Sequence, residues 1–233
     1  MTKPPASLFA IIVAAGDGTR LGLGQRKAHV ELAGRPLVAW SIATFEQHPS
    51  FAGGAIVVHA DDMAVAARDW VGAWSASAAS WHVVAGGATR TASVQAGLSQ
   101  GNDCDWIAVH DAARPLLAPR DLDRVVAAAR SSSGGAILAQ PVSDTIKRVG
   151  ANKTIVETVD RRPLVGAQTP QVFPRAVLAS AHSTAGDGIA TDDAALVEAV
   201  GGEVAVVISE QPNPKLTNQL DLGFIEALLA NRS

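Results

Sequence analysis

The stretch Ala14-Ala15-Gly16-Asp17-Gly18-Thr19-Arg20-Leu21-Gly22, with Lys27 five positions further on, could do chemistry on an anion. Its glycines allow a tight loop whose backbone N–H groups approach an oxyanion closely. Arg20 and Lys27 bring fixed positive charge to the same loop. The apolar run Leu8–Val13 leads into it, and its short, β-branched character reads as a buried strand. A strand, a Gly-rich turn and cations make a phosphate cradle; the alternative is an ordinary βα turn with solvated basic residues.

Two common cradles are excluded. A dinucleotide fingerprint needs G-x-G-x-x-G, but Leu21 stands at the third position and Gly22 comes one residue late. The acidic residue expected about 20 positions on is also missing, because Gly34 to Trp40 reads as a helix start. No G-x-x-x-x-G-K-[ST] run exists for a P-loop. The loop resembles instead the A-A-G-x-G-x-R-x-G…K signature of nucleotidyltransferases, which hold a nucleoside triphosphate by its phosphates.

Ligands of α/β sheets bind beyond the carboxyl ends of the strands. Three polar clusters fall there: the Gly16 loop, the Gly86-Gly87 turn with Ser93, and His110-Asp111-Ala112-Ala113-Arg114-Pro115. Asp111 is a candidate for a magnesium ion shared with phosphate oxygens, or for a loop cap. Arg114 is a candidate for a second anion, or a plain surface residue.

The elements that must position these residues follow from periodicity. Pro36 to Phe45 reads as a helix, and Gly53-Gly54 precede a second strand, Ala55–Val58. Met63, Ala66, Ala67, Trp70 and Trp74 recur at helical spacing, with Asp61 and Asp62 at the favoured end of the helix dipole. The two tryptophans read as core rather than as a base-stacking platform. Strands at Trp81–Ala85, Asp105–Val109 and Gly135–Ala139 alternate with helices at Arg90–Leu98 and from Pro119. Strict alternation predicts a parallel three-layer α/β sheet. Thr145–Val149 and Thr154–Val159, joined by Gly150-Ala151-Asn152-Lys153, then read as a β-hairpin. Inserted in an α/β domain, such a hairpin suits an arm that pairs with another subunit. Pro174–His182, Asp192–Val200 and Gln219–Ala230 read as helices, and Glu203–Ile208 as a late strand.

Composition narrows the class. Of 233 residues 48% are hydrophobic and 18% charged, which suits one packed domain over 1–233. A net charge of −3 argues against a nucleic-acid binder, so cations must be concentrated locally if the ligand is anionic. The single cysteine, Cys104, allows no intrachain disulfide. No apolar stretch reaches the roughly 18 residues of a membrane span, and the start of the chain is too short and polar for a signal peptide. The expected location is the cytoplasm.

His110-Asp111-Ala112-Ala113-Arg114-Pro115, Asp144-Thr145-Ile146-Lys147, Gln168-Thr169-Pro170-Gln171-Val172-Phe173, Thr191-Asp192-Asp193-Ala194 and Asn213-Pro214-Lys215-Leu216-Thr217 occur in that order. With the first loop they resemble, over essentially the whole chain, the successive motifs of the 2-C-methyl-D-erythritol 4-phosphate cytidylyltransferases of the non-mevalonate isoprenoid pathway. The resemblance implies a Rossmann-like three-layer nucleotidyltransferase fold, mostly parallel, with a projecting hairpin arm at about 142–163. It implies a homodimer with exchanged arms, CTP and a polyol phosphate as substrates, and Mg²⁺. Arg20, Lys27, Arg161 and Lys215 then form the catalytic set, Arg20 and Lys27 on the triphosphate, Arg161 and Lys215 on the attacking phosphate. Ala14, Ala15, Gly87, Ala88 and Ser93 match the nucleoside slot, beside the loop glycines Gly16 and Gly18. Asp111 matches the metal and ribose region, and Arg114 the methylerythritol side. Thr145, Thr169 and Thr191 match further phosphate or polyol contacts, with Arg161 and Thr145 reaching in from the partner subunit.

The chain departs from that pattern at Arg26, where a proline is usual, and at Ala28. The exchange predicts a looser loop and one more cation beside Lys27. The rival functions are a cytidylyltransferase for another polyol phosphate such as ribitol 5-phosphate, a sugar-1-phosphate nucleotidyltransferase, and a non-catalytic nucleotide sensor.

Overall fold

The structure, a computed structural model, describes residues 6–16, 26–184 and 190–231. The first strand, β1 (Leu8–Val13), is buried on both faces, so it must lie inside the sheet with layers above and below. It is flanked by β4 (Phe51–Val58) and β6 (Trp106–Asp111), both parallel to it. β5 (Trp81–Ala85) adds beyond β4. On the other side β10 (Val165–Pro174) runs antiparallel to β6 and to β7 (Ala136–Pro141), and β11 (Ala205–Ile208) pairs parallel with β7. The seven-stranded order is β11-β7-β10-β6-β1-β4-β5.

Alternation along β1 divides the core into two layers. Leu8, Ala10 and Ile12 pack with α1 (Leu37–Glu46), the helical run 63–74 and α5 (Pro119–Arg130). That run comprises α2 (Met63–Val65), a π-turn (Ala66–Val71) and α3 (Gly72–Trp74); its Trp70 is core, as its spacing predicts, whereas Trp74 is exposed. Phe9 and Ile11 pack on the opposite face with α4 (Arg90–Leu98), α6 (Arg175–Thr184) and α7 (Asp193–Ala199). Each fully buried Leu, Ile or Phe contributes about 1.5–3 kcal/mol. A third cluster, Val30, Leu32, Leu37, Leu116, Leu216 and Ile225, ties α8 (Gln219–Ala230) to the loops at the strand ends.

Several boundaries differ from the sequence reading. Gly53 and Gly54 lie inside β4 rather than before it. A Cβ on Gly54 would stand 2.2 Å from the Trp81 ring, so the glycine makes room for that side chain. A small hairpin, β2 (Glu31–Leu32) and β3 (Arg35–Pro36), turned by Ala33 and Gly34 at positive φ, occupies the first residues of the stretch read as a helix start, so α1 begins at Leu37. β6 continues through His110 to Asp111, and β10 is a sheet strand where only a motif was read.

The expected hairpin is present: β8 (Ile146–Val149) and β9 (Ile155–Val159) pair antiparallel in a sheet of their own. No helix among the described residues is long and apolar enough to cross a membrane.

Candidate active site

A cleft of about 770 Å³ opens where β1, β4, β5 and β6 end. The ladder continues past the strands: Ala14 N–H donates to Val57 O and Gly86 N–H to Val58 O, each at 2.7 Å. The two loops therefore leave the sheet side by side. A Cβ on Gly86 would lie 2.5 Å from Ala15 Cβ and 2.8 Å from Ser93 Oγ, so only glycine permits this approach. Ser93 Oγ accepts the Gly87 N–H at 3.2 Å and donates to Thr89 O at 2.9 Å, shaping the turn. Thr89 caps α4. Ala14, Ala15, Gly16, Gly87, Ala88 and Ser93 all line this cleft.

Charge converges on Asp111, which also lines the cleft. Lys215 Nζ donates to Asp111 Oδ2 at 2.6 Å, and Arg90 Nε lies 3.5 Å from Asp111 Oδ1. Burial pushes the Asp111 carboxyl up, but Lys215 and Arg90 outweigh it and hold the group at about 2. Arg90 also donates to Asp193 Oδ2 at 2.6 Å; Asp193 is 1% exposed and is bonded by His182 Nε2 at 3.0 Å. Lys27 lines the cleft, and its ammonium donates to the carbonyl of Leu216, next to Lys215.

Behind Asp111 stands a buried polar chain. Thr169 Oγ1 accepts the Asp111 N–H at 3.0 Å and bonds His110 Nδ1 at 3.1 Å; His110 Nε2 bonds Arg114 O at 3.1 Å. That carbonyl only accepts, so Nε2 carries the hydrogen and Nδ1 accepts from the threonine. Burial pushes His110 down to about 4, so the ring is neutral at ordinary pH.

The reading of Arg26 is corrected. Its guanidinium does not stand as an extra cation in a loosened loop, but binds Asp62 with two bonds of 2.8 and 2.6 Å. Asp62, read as a helix-dipole residue, is buried under that loop and is also bonded by His29.

Gly18 and Arg20 lie outside the described residues. Arg114, Arg161, Thr145, Thr169 and Thr191 do not line the cleft of their own chain. Arg114 is half-buried and donates to Asn213 O at 2.7 Å. Arg161 follows the arm and bonds the Ser143 carbonyl at its base. Thr145 and Thr191 are exposed. Arg90 was missed by sequence reasoning. The available signal was an arginine opening the helix that follows the Gly86-Gly87 turn, on the side of the strand ends.

Small residues and cations lining one cleft suit a base and its phosphates, and the chain is a nucleotidyltransferase. Its residues 8–231 match the IspD family, described as 2-C-methyl-D-erythritol 4-phosphate cytidylyltransferase, and the chain belongs to that family. It is 41% identical over 233 residues to the 2-C-methyl-D-erythritol 4-phosphate cytidylyltransferase of Xanthomonas campestris pv. campestris strain B100, covering 97% of this chain and 86% of that protein. Its fold is similar to the 4-diphosphocytidyl-2C-methyl-D-erythritol synthase of Anaerococcus prevotii DSM 20548, with a TM-score of 0.83 and 26% identity over 97% and 99% of the two chains. It is also similar to the 2-C-methyl-D-erythritol 4-phosphate cytidylyltransferase of Thermus thermophilus, with a TM-score of 0.76 and 32% identity over 97% and 98%.

Proposed function

We propose that the chain transfers CMP from CTP to 2-C-methyl-D-erythritol 4-phosphate, giving 4-diphosphocytidyl-2-C-methyl-D-erythritol and pyrophosphate. The observation that carries this reading is Asp111, held ionised between Lys215 and Arg90 in a cleft that Lys27 also lines. Ala14, Ala15, Gly87, Ala88 and Ser93 are the slot for cytosine and ribose, and CTP should be preferred over ATP and GTP there. The backbone at Gly16 and Gly18, with Arg20 and Lys27, takes the triphosphate.

A phosphate oxygen of the acceptor attacks the α-phosphorus, and the bond to the bridging oxygen of pyrophosphate breaks. The nucleophile is already an anion, so repulsion is the obstacle and no general base is needed. Catalysis is then positioning plus cationic stabilisation of a crowded phosphorus centre. Lys27, Lys215, Arg20 and Arg161 supply the positive charge in a chain whose net charge is −3. Arg114, Thr145, Thr169 and Thr191 belong to the acceptor side, Thr169 through its hold on Asp111.

Magnesium fits this site. Among the described residues no group of three metal-ligating His, Cys, Asp or Glu side chains is found. An ion held mainly by phosphate oxygens needs only one or two carboxylates, and Asp111 is one, kept ionised. When bound, the ion would offset triphosphate charge.

In this reading residues 1–233 are one domain in the cytoplasm, and the arm at 142–163 pairs across a two-fold axis. Val149, Ile155 and Val156 on the arm are 54–64% exposed, an apolar surface that a second copy would cover. Arg161 and Thr145 would then serve the partner's cleft.

The test is pyrophosphate release with the four nucleoside triphosphates against methylerythritol and ribitol phosphates. CTP with 2-C-methyl-D-erythritol 4-phosphate should be the productive pair. Equal turnover with ATP would sink the pyrimidine slot, and preference for ribitol 5-phosphate would select the rival acceptor.

A further inference from the structure

We infer that Asp62 is a positioning residue for the reaction: it grips Arg26 and His29, the residues on either side of the Lys27-Ala28 pair, and so fixes where the Lys27 ammonium stands. The inference rests on reading Lys27 as a triphosphate ligand.

Lys27–His29 is a single 3₁₀ turn. Its backbone bonds are His29 N–H to Arg26 O at 3.0 Å and Val30 N–H to Lys27 O at 3.1 Å. Such a turn is weakly held by its own bonds. Its anchor comes from elsewhere. Asp62 Oδ2 accepts from Arg26 Nε at 2.8 Å, and Oδ1 accepts from Arg26 Nη2 at 2.6 Å and meets His29 Nε2 at 2.8 Å. The paired Arg fork fixes direction as well as distance.

The anchor is itself rigid. Asp62 is 2% exposed and closes the short turn Ala60–Asp62 directly after β4. His29 rests edge-on against Trp70, ring centres 5.4 Å apart, and Trp70 is buried in the π-turn. The end of the sheet is thus connected through Asp62 to both flanks of the Lys27-Ala28 pair.

The same contacts decide which cation faces the cleft. Arg26 spends its charge on a buried carboxylate, while Lys27 lines the cleft. Arg26 also holds φ −64°, the value that a proline ring would preset. Asp62 therefore does for this loop, by a side-chain clamp, what a ring does covalently. An error of about 1 Å in such a group is enough to cost roughly 100-fold in rate.

The experiment compares full-length wild type, Asp62→Asn, Lys27→Ala, the double variant, and Arg26→Pro/Asp62→Asn in steady-state CMP transfer. Asp62→Asn should lower kcat about tenfold or more while KM for the acceptor stays constant. Added to Lys27→Ala it should cost less than about twofold. Arg26→Pro should return most of the activity lost in Asp62→Asn. Wild-type rates in Asp62→Asn, or the same factor lost with and without Lys27, would overturn the inference. Should Asp62→Asn not fold, Arg26→Ala carries the same comparison with Lys27→Ala. A crystal structure of whichever variant folds gives a readout independent of turnover. Displacement of residues 26–29 supports the clamp even if wild type transfers no CMP, and an unmoved turn refutes it.

Discussion

The Lys215 ammonium stands 2.6 Å from Oδ2 of Asp111, across 104 residues of sequence. The pair makes acid stability a reporter of the site. Folded Asp111 titrates at about 2 against an ordinary 3.8. Its contribution is complete above the unfolded value and is lost as pH falls from 3.8 toward 2. That difference amounts to about 2 kcal/mol. Urea unfolding at stepped pH should show the gap between wild type and Asp111→Asn closing across that window. A constant gap would mean that Asp111 is not held by its cations.

The hydroxyl of Thr169 links Asp111 to His110. Thr169→Val keeps the shape but leaves a buried N–H and a ring nitrogen without partners. The expected cost is about 1–3 kcal/mol in urea unfolding, with a fall in CMP transfer because Asp111 loses its backbone tether. His110 adds a separate signature. It titrates at about 4 when folded, against 6.5. The stability from its neutral form is present above 6.5 and is lost as pH drops toward 4.

Arg90 spans two carboxylates. Arg90→Gln leaves Asp193, 1% exposed, with one fewer cation. Breaking one side of a buried pair costs about 3–5 kcal/mol. Arg90→Gln/Asp193→Asn should therefore be more stable than Arg90→Gln alone, measured by thermal unfolding. If the double variant is the weaker one, the pair is not a unit.

Arg161 and Lys27 test the exchanged arm. Each variant to alanine should lose roughly 100-fold or more in turnover, about 3 kcal/mol of transition-state stabilisation. Mixed and allowed to exchange subunits, the two inactive proteins make about half mixed dimers, each with one intact site. Roughly a quarter of wild-type activity should return. Confirmed exchange with no recovery would mean that Arg161 serves its own chain.

Where local pattern and burial agree, the sequence is transparent. β1, β5, α4 and α8 fall at the residues that periodicity assigns. β10 was opaque for a physical reason. Its inner half buries Gln168, Thr169 and Gln171, polar residues that bond the loops around the site, so no hydrophobic signal marks it as a strand. The site shows the same division. The glycines and alanines that line the cleft do so with their own backbone, so their place at the strand ends is legible in one dimension. Arg90 and Arg26 take their meaning from Asp193 and Asp62, and these partners become visible only when distant elements meet.

Lys27 bonds a carbonyl 189 residues away, and Lys215 reaches back to a strand made long before it. A polypeptide emerging from the ribosome can lay down β1, β4, β5 and β6 and bury their side chains while Asp111 still lacks its lysine. Folding of the sheet and completion of the cleft are thus separated in time during synthesis. The cations come together only after residue 216 has left the exit tunnel, so nascent chains shorter than that cannot hold a triphosphate in the finished geometry.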